Sequence, residues 1–122
     1  MTTLSAPARA TGWTEVAALG SLTPDRGSAV LVEGHQVAVF VLLDGSVHAL
    51  DNRDPGSGAN VMSRGIVGDR GGVPVVASPI YKQCFELTTG RCLDDPDLAL
   101  QTHGVRVVDG QVHVRLRSAA SP

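Results

Sequence analysis

From Gln36 to Leu43 the chain reads QVAVFVLL, and Asp44 and Gly45 follow at once. No other stretch constrains the fold as tightly. A strand with one wet face alternates apolar and polar residues; an unbroken apolar run implies burial on both faces, so this strand is expected at the centre of a sheet. Asp-Gly is the strongest short hairpin signal, and Ser46 to Leu50 reads as the returning strand. The longest apolar run, Val37 to Leu43, ends at Asp44. A membrane-spanning helix needs about 20 such residues, so no membrane role is expected.

Short strands continue on both sides. Trp13 to Val16 and Ser28 to Glu33 read as strands, with a turn or short helical piece over Leu19 to Pro24 and a tight turn at Gly34-His35. Val75 to Ala77, Cys84 to Leu87 and Arg91 to Leu93 read the same way. The end pairs Val105 to Val108 with Gln111 to Arg117 across Asp109-Gly110. There Val112, Val114 and Leu116 alternate with His113, Arg115 and Arg117, which predicts a half-buried, edge-type strand. Residues 51–83 break this rhythm with many Gly, Asp, Asn and Arg residues; one helical turn is expected over Ala59 to Arg64 and a flexible loop over Gly68 to Gly72. The expectation is an all-β domain of antiparallel hairpins, a barrel or sandwich over 13–117, with tails at 1–12 and 118–122. The long excursion is where function is expected, because loops carried by a rigid scaffold usually hold it.

The 122 residues suit one domain, and only 3% are aromatic, so the core must be built from Val, Leu, Ile and Ala. Net charge is −2, and no Lys/Arg cluster or aromatic ladder is present, which argues against nucleic-acid binding. The N-terminus lacks the basic and apolar regions of a secretory signal. Cys84 and Cys92 flank a turn within disulfide reach, but without export they read as free thiols of a cytoplasmic protein. His35, His48, His103 and His113 are scattered without metal-ligand spacing and read as solvated or turn residues. Asp94, Asp95 and Asp97 read as a solvated turn, and Trp13 as packing the first strand onto the barrel.

Two proline-bent loops lie in the excursion, DNRDPGSGAN (51–60) and SPIYK (78–82). With the flanking VHAL, the following QCFELTTG and the closing GVRVVDGQVHVRL, they resemble the Rieske domain. That family holds a two-iron, two-sulfur cluster between Cys-x-His and Cys-x-x-His loops. Laid on the motif, the Cys positions fall at Asp54 and Ser78, and the His positions at Gly56 and Tyr81. This set cannot supply two thiolates and two imidazoles, so no metal or cofactor is expected in this chain. Together, DNRDP, SRGIVGDRGG, SPIYKQ and GRCLDDP resemble the small subunits of assimilatory NAD(P)H-dependent nitrite reductases. The resemblance implies a non-catalytic subunit on a large chain that carries FAD, sirohaem and a four-iron cluster and reduces nitrite to ammonium.

Interfaces concentrate their energy in a few Tyr and Arg anchors. Arg53, Asp54, Arg64, Tyr81 and Lys82 are therefore the partner-docking candidates. The bland alternative is that Asp54 and Tyr81 fill the vacated cluster cavity, bonded to each other or to backbone. Two rival functions stay open: a Rieske-type electron-carrier ferredoxin, and a stand-alone module binding a small ligand between Asp54 and Tyr81. No nucleophile or general-base constellation supports an independent enzyme.

Overall fold

The computed structural model describes residues 12–117 and is all-β. The expected tails at 1–12 and 118–122 fall, apart from Gly12, outside the described residues. Nine strands run in chain order: β1 (Thr14–Ala18), β2 (Arg26–Val32), β3 (His35–Val41), β4 (Val47–Asp51), β5 (Ile66–Arg70), β6 (Val73–Ala77), β7 (Cys84–Glu86), β8 (Thr102–Val108) and β9 (Gln111–Arg115). They form a six-stranded sheet in the order β1-β9-β8-β4-β3-β2 and a three-stranded sheet in the order β5-β6-β7. Every pairing between these strands is antiparallel. The six-stranded sheet curls into a nearly closed barrel, and the three-stranded sheet packs beside it through a shared core.

β3 occupies the central position its sequence predicts. Ala38, Phe40 and Leu42 enter one core cluster with Leu50, Met62, Val76, Phe85 and Leu87, which joins the two sheets. Val37 and Val39 enter a second cluster with Val32, Ala49, Val112 and Val114. Successive side chains on a strand point to opposite faces, so a strand between two cores must be apolar at every position.

The sequence expectations shift in four places. The first turn is Glu33-Gly34, both at positive φ (51° and 80°), and His35 already belongs to β3. Gly68 to Gly72 is not a loop. It supplies most of β5 and the turn into β6, where Gly71 and Gly72 adopt φ of 63° and 90°. Only Val67 of β5 packs against the core, so burial writes no alternation into its sequence. Arg91 to Leu93 forms only isolated bridges, Phe85↔Cys92 and Arg91↔Ala99. Finally, β9 is interior, between β1 and β8; its wet face comes from one exposed side of the sheet.

The smaller details follow. A 3₁₀ turn at Leu19–Ser21 fills the predicted helical piece, and a second at Met62–Arg64 sits inside the predicted 59–64 turn. Arg106 of β8 lies 4.3 Å over the ring of Trp13, the residue before β1. Cys92 pairs with Phe85 and shares its buried face, so the adjacent Cys84 points the other way, and both thiols are free. No described helix is long and apolar enough to cross a membrane.

Candidate functional site

The first proline-bent loop follows β4 of the six-stranded sheet, the second joins β6 to β7 of the three-stranded sheet, and buried polar groups hold them together. Loop one begins at Asn52, which is 1% exposed. Its Nδ2 donates to Gln36 Oε1 (2.9 Å) and the Asn60 carbonyl (3.3 Å), while its Oδ1 accepts the Ser63 N–H (2.7 Å). One amide thus ties β3, the far side of the loop and the second 3₁₀ turn. The loop closes where Asp54 N–H donates to the Ala59 carbonyl and Gly58 N–H to the Asp54 carbonyl. Loop two closes on itself: Ser78 N–H donates to the Gln83 carbonyl and Lys82 N–H to the Ser78 carbonyl. Lys82 is at φ 61°, a left-handed conformation that turns the chain back toward β7.

The two loops meet at one carboxylate. Asp54 is fully buried. Its Oδ2 accepts from Ser78 Oγ of the second loop (2.7 Å) and Ser57 Oγ (3.0 Å), and its Oδ1 accepts the Gly56 N–H (2.9 Å). Burial pushes its pKa up, but the hydrogen bonds from Ser78, Gly56 and Ser57 outweigh that and hold it below the usual carboxylate value. A buried charge is tolerable when donors surround it, and this one is met by two hydroxyls and a backbone amide.

A two-iron cluster does not fit these positions. The carboxylate and the hydroxyl at the Cys positions are hydrogen-bonded to each other across the gap a cluster would bridge. At Gly56, the first His position, an added Cβ would already lie 3.0 Å from Gln83 Oε1 and 3.3 Å from the Tyr81 ring. Asp54, Gly56, Ser78 and Tyr81 leave neither ligand chemistry nor room for imidazole. Among the described residues no group of three or more His, Cys, Asp or Glu side chains could hold a metal ion.

Of the five docking candidates, Arg53, Arg64, Tyr81 and Lys82 are exposed, Tyr81 by 60%. Asp54 must be withdrawn: with no exposed surface it can tie loops but cannot touch a partner. Of the two residues expected to line a small-ligand pocket, Asp54 is enclosed and Tyr81 is exposed.

Sequence reasoning missed a second buried polar site. His103, expected to be solvated, is 6% exposed. Its Nδ1 accepts the Arg117 N–H (3.0 Å), so the neutral ring carries its proton on Nε2 and donates to Asp51 Oδ1 (2.7 Å). Asp94 is also more than a solvated turn residue. It accepts from Arg70 Nη1 (2.9 Å) and the Cys84 N–H (2.8 Å), pinning the turn after β7 to β5. The signal for His103 was faint: one His in an otherwise β-patterned segment.

The comparisons with known proteins come to the same place. Residues 12–115 match the family described as the Rieske-like [2Fe-2S] domain. The chain is 36% identical over 104 residues to the nitrite reductase (NADH) small subunit of Salmonella typhimurium, covering 84% of this chain and 96% of that protein. It is 41% identical over 102 residues to the nitrite reductase [NAD(P)H] large subunit of Klebsiella oxytoca, of which it spans only 11%. The crystal structure of a Mycobacterium tuberculosis protein described as an NADH-dependent nitrite reductase small subunit superposes with a TM-score of 0.84 at 52% identity, covering 88% of this chain and 96% of that one.

Proposed function

The chain belongs to the Rieske-like domain family and, within it, to the nitrite reductase small subunits, and on that premise we propose that it is the accessory subunit of an NAD(P)H-dependent nitrite reductase. The observation that carries this reading is the match to small subunits across 96% of their length. A second supports the choice of partner: a counterpart of this chain lies inside a protein named as a large subunit, so the two kinds of sequence occur joined in one polypeptide.

In this reading the large chain holds FAD, sirohaem and the four-iron cluster and performs the chemistry of nitrite reduction to ammonium in the cytoplasm. This chain adds a rigid surface and no redox centre. The loop end docks, with Arg53, Arg64, Tyr81 and Lys82 outward and Asp54 behind them as the tie. Tyr and Arg suit that role because they bring large contact area and bidentate hydrogen bonds at modest entropic cost. The electron-carrier reading loses ground on the donor set, which offers carboxylate, hydroxyl and phenol where thiolate and imidazole are needed.

The test is affinity purification of the tagged chain from nitrate-grown cells, followed by assay of NAD(P)H-dependent nitrite consumption. Recovery of a sirohaem-containing large chain with that activity is the expected outcome. A chain recovered alone, with no nitrite turnover in the eluate, refutes the subunit reading.

A further inference from the structure

The cations of this molecule sort into two groups. Among the described residues, Arg70 pairs with Asp94 and Arg91 with Glu86, Arg106 lies over Trp13, and Arg117 reaches Thr102 Oγ1. The side chains of Arg26, Arg53, Arg64 and Lys82 have no ion-pair or hydrogen-bond partner among the described residues. Arg115 shares that state but lies on β9 against Gly12. The other four belong to the excursion or to the strand packed on it. Of these four, Arg26 and Arg64 line one groove.

Arg26 and Arg64 flank one open groove of about 500 Å³. Its walls are the start of β2 on one side and the second 3₁₀ turn with the start of β5 on the other. Gly27 makes the close approach of the two walls possible, since a Cβ there would fall 2.4 Å from the Ser63 carbonyl oxygen. Ile66, 73% exposed, adds an apolar contact at the rim. Asp25 is the single opposing charge in the lining.

We propose that this groove seats a carboxylate-bearing segment of the large nitrite reductase chain, gripped between the Arg26 and Arg64 guanidinium groups with Ile66 against its apolar neighbour; the proposal rests on the subunit reading above. Two guanidinium side chains that line one groove and have no ion-pair partner among the described residues supply the donors that bidentate capture of a carboxylate needs. They have no desolvated internal partner to give up, so their charge is available for association and for steering it.

The experiment titrates the isotope-labelled full chain with a hexaglutamate peptide and follows amide shifts by NMR. Shifts centred on Arg26 and Ser63 to Val67 are expected. They weaken about tenfold in Arg26→Ala/Arg64→Ala, as loss of two charge-assisted contacts implies, and they fade in high salt. Asp25→Asn tightens binding. Both arginines are exposed, so an unchanged spectrum elsewhere certifies the fold. Shifts that are absent, lie elsewhere or persist in the double variant overturn the proposal. Assembly with the large chain is then compared. Equal affinity and equal salt dependence for wild type and double variant also overturn it. If the wild-type chain fails to assemble while the peptide still seats in the groove, the subunit reading falls and the groove stands as an acidic-segment site.

Discussion

Asp51 and Asp54 stand three positions apart at the mouth of the first loop, and the fold uses them differently. Asp51 ends β4 and accepts from His103 of the neighbouring β8. His103 in turn accepts the Arg117 N–H, so this site stitches the six-stranded sheet to the segment after β9. Asp54 lies outside the sheets and binds two serines and a glycine amide from the two loops. The first is a strand-to-strand tie inside the barrel. The second is a tie between two loops, at the positions where the Rieske motif carries its cluster ligands. The difference shows that one buried carboxylate with three donors can hold two loops together.

The comparison can be broken, and the largest effect is expected at Asp54. Asp54→Ala removes a buried acceptor and strands three donors, of which the Ser78 hydroxyl is itself buried, and should cost about 2–4 kcal/mol of unfolding free energy in denaturant titration. A cost under about 0.5 kcal/mol, the range of an ordinary surface change, would show that the carboxylate is not the tie. His103→Ala leaves Asp51 and the Arg117 amide without their partner and is expected to cost about 1–3 kcal/mol. Its loss should loosen β8 and the residues after β9 in hydrogen exchange while leaving 51–60 protected. The mirror pattern is expected for Asp54→Ala.

Next in size is Ser78→Ala, which removes one donor of three and should cost about 1 kcal/mol, with 78–83 exchanging faster. The acid limb sharpens this further. The folded-state pKa of Asp54 is lowered, so its contribution is fully present above the unfolded carboxylate value, about 3.9, and disappears as pH falls through the lower folded value. Asp54→Asn should therefore flatten the loss of stability below about pH 4; an unchanged acid limb would place the responsible carboxylate elsewhere. The smallest stability effect belongs to Arg53→Ala/Tyr81→Ala. Both side chains are exposed, so stability should shift by less than about 0.5 kcal/mol. Affinity for the large chain should nevertheless fall by about tenfold or more, and unchanged assembly would move the docking face away from the loops.

Much of this could be read along the chain. Hairpins at Asp44-Gly45 and Asp109-Gly110 stand where the dipeptides place them, because Gly45, Asp109 and Gly110 accept the positive φ their turns need. The missing ligands were equally legible, since a Cys or His is present in the sequence or is not. β5 was not legible. Of its five residues only Val67 packs against the core, and a strand that turns one side chain inward leaves no alternation for the sequence to record. His103 was hidden for the converse reason. Its burial depends on Asp51, Arg117 and the sheet that gathers them, none of them close in sequence.

What the sequence determined alone was the local and the periodic: turn chemistry, the doubly buried β3, and the absence of thiolate and imidazole at the loop positions. Those depend on residue identity and on neighbours one or two positions away. Only tertiary structure decided which polar residues face inward. Asp54 became a buried tie because Ser78 arrives from 24 positions downstream, and Arg26 came to share a groove with Arg64 because β2 packs on the Met62–Arg64 turn. Burial and charge pairing are properties of what the fold brings within a few ångströms, and no window along the chain contains that information.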